Sequence, residues 1–294
     1  ILNSDKYKHY LSNNSASKSI FTNENGFELN QLFMQPDLAK TLRRIADYGY
    51  REFYVGKTSK LILKTMEETG GIINEYDLAS YQPKEREPIT FMYRGYTVTS
   101  MPPPSSGGIT LAHILNQLKY IDLDSLGHNS SDYIHYFVEA EKRAYADRAK
   151  YMGDTDFVDV PIDMLTSDLY AFNNFSSIDP NYSTDSKTLN ADLLASIDES
   201  EETTHFSVTD KFGNAVSVTY TLNGWFGNGI TVGEAGFLLN NEMDDFSSKP
   251  GTPNGYGLLG SEANAIEGNK RPLSSMTPTI IFKNDEPYMV FGSP

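Results

Sequence analysis

Thr203 opens the run TTHFSVTDKFGNAVSVTYTL, in which alternating residues flank a turn across Asp210 to Asn214. A β-hairpin centred on Phe212 sets Thr203 opposite Thr221, with the second strand running from Ala215 to Leu222. Side chains directly opposed in an antiparallel pair share one face, with Cβ atoms about 4.5–5.5 Å apart. Two hydroxyls in contact can form an activated nucleophile, one oxygen holding the other. They are equally an ordinary packing pair, and geometry alone leaves both readings open. The position of Thr203 adds to the chemical one. The preceding stretch, 176–202, is rich in Ser, Asp, Asn and Thr and ends in DESEE, a composition that predicts an exposed, poorly packed segment. Residue 203 is the sharpest compositional boundary in the chain.

Other chemistries find little support. The five histidines, His9, His113, His128, His135 and His205, show no metal-ligand spacing and read as scattered surface or core residues. The absence of cysteine removes disulfides, thiolate zinc sites and a cysteine nucleophile together. No GxSxG elbow is present. The single GxGxxG match, Gly255 to Gly260, follows Pro-Gly-Thr-Pro-Asn rather than a strand, so it reads as a loop and not a dinucleotide site. Taken alone, Asp244-Asp245 is a solvated acidic loop and Ser274-Ser275 a polar turn before a strand.

The elements that must position these residues change character along the chain. The first half is mainly helical. Asp37 is the expected cap of a helix that carries Leu38, Leu42 and Ile45 on one face and stops at Gly49. A second helix spans about Thr58 to Thr69 and ends at Gly70-Gly71. Two strands, Ile89 to Met92 and Tyr96 to Ser100, flank the Arg94-Gly95 turn. MPPPSSGG, Met101 to Gly108, then feeds a helix with Ile109, Ala112, His113 and Leu115 at helical spacing, and a long helix covers about Asp132 to Ala149. After residue 203 come strands and glycine-rich loops, closing with a hairpin of Thr279–Phe282 and Tyr288–Phe291. Helices followed by strands predict separate domains or separate layers.

With 294 residues, 39% of them hydrophobic, a sizeable core is expected. A net charge of -15 disfavours nucleic acid and anionic lipid as partners. No apolar run is long enough to span a bilayer. The start, ILNSDKYKHY, is not a signal peptide, and both ends are abrupt, as in a fragment.

A wider pattern bears on the threonine pair. TTHFSV, DKFGNAVSVTYTLN, FGNGI, LLNNEMDDFS and NKRPLSSMTPTI resemble the small subunit of the γ-glutamyltransferases (γ-glutamyltranspeptidases, glutathione hydrolases). Upstream, YRGYTVTSMPPPSSGG and EAEKRAYADR resemble that family's large subunit. The resemblance covers nearly the whole chain, more loosely before Ile20 and between Asp163 and Glu202. It implies an α+β N-terminal-nucleophile hydrolase fold, a four-layer αββα sandwich to which two parts contribute. These are 1–202, the end of a mostly helical large subunit with a flexible acidic tail over 176–202, and 203–294, the start of the small catalytic subunit. It further implies autocatalytic cleavage between Glu202 and Thr203, a large–small heterodimer, and no metal or other cofactor.

The same resemblance distributes roles. Thr203 is the expected nucleophile, its freed α-amine the base and Thr221 its positioning hydroxyl. Asn223, Glu242 and Asp245 would hold the donor's α-amino group and neighbouring atoms, with Asp245 as the ammonium partner. Family members carry either Gln or Glu at the position of Glu242. Ser274 and Ser275 would bind the α-carboxylate, and Tyr256 would gate the site from a lid over Pro250 to Gly260. Expected partners are a small γ-glutamyl donor such as glutathione and, as acceptor, water, an amino acid or a peptide. The expected compartment is the periplasm or the exterior. The family's Gly-Gly oxyanion pair follows GSP, and its carboxylate-binding arginine lies upstream of Ile1, so this piece by itself need not be active. Three alternatives share the pattern: an acylase of the same fold, a poly-γ-glutamate depolymerase, and an inactive truncated homologue.

Overall fold

A computed structural model describes residues 2–189, 203–249, 251–252 and 260–293. By packing, the chain divides into two units: residues 1–85 with 222–241, and residues 86–221 with 242–294. This division crosses residue 203 and is independent of any cleavage there.

The first unit is helical. It holds α1 (Asp5–Ser12), α2 (Ser15–Phe21), α3 (Pro36–Tyr48), α4 (Tyr50–Val55), α5 (Lys57–Thr69) and α6 (Glu75–Ser80). Asp37 does not cap α3. Pro36 takes the first helical position, where its missing N–H is no loss, and Asp37 instead pairs with Lys40 at 2.9 Å. Nor does Leu42 face the core. The covered stripe of α3 is Leu38, Thr41 and Ile45, and Leu42 is exposed. The reason is a polar contact that apolar periodicity cannot register: Thr41 Oγ1 donates to the Ala235 carbonyl at 2.8 Å. The segment 222–241 returns to this unit. Val232 and Ala235 pack with Leu61, Ile62 and Met66 of α5, while Ser17 of α2 donates to the Gly229 carbonyl at 2.7 Å.

The second unit contains β1 (Ile89–Tyr93), β2 (Tyr96–Ser100), α7 (Gly107–Leu118), α8 (Leu123–Leu126), α9 (Ser131–Tyr151), α10 (Ile162–Leu165) and α11 (Asp168–Ser176). It continues with β3 (Thr203–Thr209), β4 (Ala215–Thr221), β5 (Thr279–Lys283) and β6 (Glu286–Phe291). The 4-stranded antiparallel sheet has the order β1-β2-β5-β6, so strands from both sides of residue 203 share one sheet through the β2–β5 pairing. Ile89, Phe91 and Val98 point from this sheet into a core with Ile109 and Ala112 of α7, Met152 and Leu165. The β3–β4 hairpin is a separate 2-stranded sheet whose Ser217 Oγ donates to the Phe291 carbonyl at 3.0 Å.

The stretch expected to be exposed from residue 176 onward is, in its first part, fastened to α9. Glu139, Lys142 and Arg143 occupy i, i+3 and i+4 and face one way. Glu139 is 1% exposed. It accepts from Lys142 Nζ at 2.8 Å, Arg143 Nη1 at 2.8 Å and the Thr184 backbone N–H at 3.0 Å. Arg143 also donates to Ser177, and Lys142 to the Thr184 carbonyl. Polar composition here reports a hydrogen-bonded clasp rather than a loose chain. Residues 190–202, including Glu202, lie outside the described residues.

Burial opposes ionisation of Glu139, but its bonds to Lys142, Thr184 and Arg143 outweigh burial and bring its carboxyl down to about 2. A depressed carboxylate pKa contributes stability above the unfolded-state value that disappears as pH falls through the folded one. Replacing Glu139 with Gln leaves two cations without their counter-charge. The expected loss is about 3–5 kcal/mol, with a shallower acid limb of stability between about pH 4.5 and 2, measured by denaturant unfolding over that range.

Candidate functional site

Thr203 begins β3 and Thr221 ends β4, and the two are register partners, as the hairpin centred on Phe212 requires. The turn is fixed by Asp210, whose carboxylate accepts the N–H groups of Phe212 at 2.8 Å and Asn214 at 3.0 Å. The face that carries both threonines continues as a polar column of His205 opposite Thr219 and Ser207 opposite Ser217. His205 Nδ1 lies 2.8 Å from Thr219 Oγ1 and Nε2 lies 3.0 Å from Ser207 Oγ. The chain after β6 passes so close to this ring that a Cβ on Gly292 would lie 2.4 Å from His205 Nδ1. A larger residue at this position would require the His205 ring to move.

The acidic residues of NNEMDDF form one 3₁₀ turn, Glu242–Asp245. Both members of the Glu242/Asp245 pair are half-buried, and their side chains are hydrogen-bonded. Burial is the main cause that raises Glu242 to about 8, with the neighbouring Asp245 charge adding to it. Burial likewise raises Asp245 to about 6, against the pull of Glu242's hydrogen bond and the Arg148 charge. Burial thus holds both carboxyls of the pair above the usual carboxylate range.

Ser274 and Ser275 lie on a turn locked to residues 102–107. The Ser274 N–H donates to the Pro104 carbonyl at 2.9 Å, and the Ser274 carbonyl accepts from Ser106 N–H at 2.8 Å and Ser106 Oγ at 2.9 Å. Ser105 Oγ donates to the Met276 carbonyl at 2.7 Å. A Cβ on Gly107 would lie 2.2 Å from Thr277 Oγ1, so the first residue of α7 is small where it meets this turn. Asn264 joins the acidic turn to the serine turn. Its Nδ2 donates to the Asp245 carbonyl at 2.7 Å, and its Oδ1 accepts the Leu273 N–H at 3.0 Å. Asp154 anchors the same loop by accepting the Arg271 N–H at 2.9 Å and an Arg86 guanidinium bond at 2.9 Å.

Beneath these residues lies Arg148 of α9, 5% exposed. Its Nε donates to Ser106 Oγ at 3.0 Å and its Nη2 to Ser275 Oγ at 3.1 Å, while its charge acts on Asp245. Arg148 thus bonds Ser275 and acts by its charge on Asp245, and Ser274 is fixed beside them.

The remaining expected positions fall elsewhere. Asn223 belongs to the other packing unit. There it adopts φ 71° and donates to the Asn241 carbonyl at 3.2 Å, closing the base of the 222–241 loop. Tyr256, and with it Gly255 of the glycine motif, lies outside the described residues. The ends of that loop meet where Gly251 N–H donates to the Gly260 carbonyl at 3.0 Å. His113 is fully buried against Asp147, with Nδ1 and Oδ2 3.5 Å apart, and burial lowers it to about 4. It is a core histidine, as the sequence suggests. Sequence reasoning assigned no role to Arg148, Ser106, Asn264 or His205. The first two lie within EAEKRAYADR and MPPPSSGG, stretches that stand out in the sequence but do not say which atoms meet. Among the described residues no group of three potential metal ligands occurs, and no helix is long and apolar enough to cross a membrane.

The electrostatics of the acidic turn have a measurable consequence. A carboxyl whose folded pKa is raised contributes stability that is present below the unfolded pKa and lost as pH rises through the folded one. For Glu242 that window runs from 4.5 to about 8. Glu242→Gln, which keeps the shape and cannot ionise, is expected to flatten the decline of Tm across this window relative to the parent protein, as measured by thermal unfolding at stepped pH.

A model of the family described as Gamma-glutamyltranspeptidase matches residues 2–294. The chain is 51% identical over 285 residues to the glutathione hydrolase proenzyme of Escherichia coli, covering 97% of this chain and 49% of that protein. It is similar to the crystal structure of Helicobacter pylori gamma-glutamyltranspeptidase, with 44% identity and TM-score 0.60 over 62% of this chain and 53% of that one. It is also similar to the cephalosporin acylase of Bacillus halodurans, with 25% identity and TM-score 0.74 over 98% of this chain and 48% of that one. The chain spans about half the length of the curated relatives it matches. The fold is α+β, of the N-terminal-nucleophile class. On the match of the family model and the identity to its members, this chain belongs to the gamma-glutamyltranspeptidase family.

Proposed function

We propose that the protein transfers or hydrolyses the γ-glutamyl group of glutathione and related amides through a threonyl acyl-enzyme. The observation that carries this reading is the gathering of Asp245 and Ser275 at one buried guanidinium, in the packing unit that also holds the Thr203–Thr221 pair. An anionic carboxylate beside hydroxyl donors suits the ammonium and carboxylate of a free α-amino acid head. An acylase whose acyl group lacks an ammonium has no use for Asp245, which sets the glutamyl reading above the acylase one despite the structural likeness.

The chemistry follows in two stages. In maturation the Thr203 hydroxyl attacks the Glu202 carbonyl carbon. The Glu202–Thr203 peptide C–N bond breaks, and the acyl group passes to oxygen while the nitrogen takes up a proton. Water then hydrolyses that ester and leaves a free α-amine on Thr203. An α-amine pKa of about 7.7–8.0 suits a general base at neutral pH. In turnover the amine takes the hydroxyl proton as oxygen attacks the γ-carbonyl, and the protonated amine supplies it to the departing nitrogen. Water or an acceptor amine then attacks the ester and releases glutamate or a new γ-glutamyl amide. Thr221 would hold the Thr203 oxygen and Ser274 would complete the donor site; roles for Asn223 and Tyr256 are those the family resemblance implies.

A large and a small subunit, residues up to 202 and from 203, would stay associated, since β2 hydrogen-bonds to β5 across the cut. The donor is a small γ-glutamyl amide, and the acceptor water, an amino acid or a peptide. Export to the periplasm or exterior fits the family. No cofactor enters this scheme.

Intact mass spectrometry of the full-length protein should show two fragments meeting at Glu202 and Thr203, and Thr203→Ala should remain one chain. An uncut, folded parent contradicts the scheme and favours an inactive homologue. Asp245→Asn should raise KM for a γ-glutamyl anilide by about 10- to 100-fold, the worth of a charged hydrogen bond, while cleavage at residue 203 continues.

A further inference from the structure

Arg148 makes its contacts from beneath the proposed donor site. It is buried, and its guanidinium carries only donors. Each oxygen it touches must therefore accept from it. Ser106 Oγ accepts from Nε at 3.0 Å, which leaves the Ser106 proton for the Ser274 carbonyl at 2.9 Å. Ser275 Oγ accepts from Nη2 at 3.1 Å. The Ser275 proton then has to point away from Arg148, outward from the buried cation. Arg148 also counters Asp245, whose ionisation is opposed by burial and by Asp244.

We infer that Arg148 is a positioning residue for the α-amino acid head of the donor: it orients the Ser275 hydroxyl as a donor and, through Ser106, holds the Ser274 turn in place, without touching substrate itself. The inference rests on the γ-glutamyl reading above and adds a residue to it. One buried cation thereby prepares the carboxylate half of the site, a Ser275 hydroxyl proton turned outward beside a fixed Ser274. A lysine could supply the charge but not the two-pronged hold on Ser106 and Ser275.

The test uses the full-length protein and two readouts, hydrolysis of a γ-glutamyl anilide and inhibition by free L-glutamate. Arg148→Met is expected to raise KM and the glutamate Ki together by about 10- to 100-fold, as for loss of hydrogen bonds to a charged group, with kcat within about threefold and cleavage at residue 203 retained. Arg148→Lys should recover part of this loss. Ser106→Ala, which removes an anchor of Arg148 from outside the proposed donor set, should raise both constants by about three- to tenfold. The Arg148→Met, Ser275→Ala double variant should lose less than the product of the single losses. Unchanged KM and Ki in Arg148→Met overturn the inference. If that variant does not fold, unchanged constants in Ser106→Ala overturn it equally. A parent protein that neither cleaves the anilide nor binds glutamate refutes the γ-glutamyl reading itself, and this result is distinct from a parent that is active and indifferent to Arg148.

Discussion

The structure around the candidate site depends on the locking of two turns, residues 102–107 and 274–276. The Ser274 carbonyl accepts two bonds from Ser106, the Ser274 N–H binds Pro104, and Ser105 reaches Met276. Backbone groups that would otherwise be buried without partners are satisfied across this seam, so neither turn can shift without exposing the other. The consequences spread in two directions. Next along the chain, β5 is brought against β2, and a single sheet forms from strands on both sides of residue 203. On the other flank α7 starts inside the seam, which is why Gly107 must be small, and α9 lies near enough for Arg148 to join it.

This arrangement puts a polar, charged site on a firm support. Ile89, Phe91 and Val98 of the sheet pack with Ile109 and Ala112 of α7 to form the apolar floor. Two buried carboxylates of the unit are paired, Glu139 with Lys142 and Arg143 and Asp154 with Arg86. Glu242 and Asp245 are different, because two carboxyls share one half-buried turn and burial raises both. Such a turn is poorly stable by itself and well suited to receive an ammonium group.

Elements set by local pattern were legible in the sequence. The hairpin register of Thr203 with Thr221 follows from the alternation and the Asp210–Asn214 turn alone, and the β1–β2 and β5–β6 hairpins, α5, α7 and α9 lie within a few residues of their expected bounds. Where long-range polar contacts decided the outcome, reading failed. Thr41 rather than Leu42 faces inward on α3 because the Ala235 carbonyl waits for its hydroxyl, and residues 177–184 are held by the clasp on α9 despite a composition that reads as loose. Arg148 illustrates the same limit. Its helix was evident, but that its guanidinium meets Ser106, 42 residues earlier, and Ser275, 127 residues later, depends on tertiary geometry that no local pattern encodes. Family resemblance named the residues around it and left it without a role.

The account centres on one atom, the Thr203 hydroxyl oxygen, as the carrier of the acyl group. The most direct measurement is a rapid acid quench of the full-length protein during turnover of a γ-glutamyl donor, followed by peptide mapping. The account predicts one added γ-glutamyl group, ester-linked and confined to the peptide that begins at Thr203. An adduct on any other residue, or turnover with no covalent adduct under conditions where deacylation is slow, would contradict it.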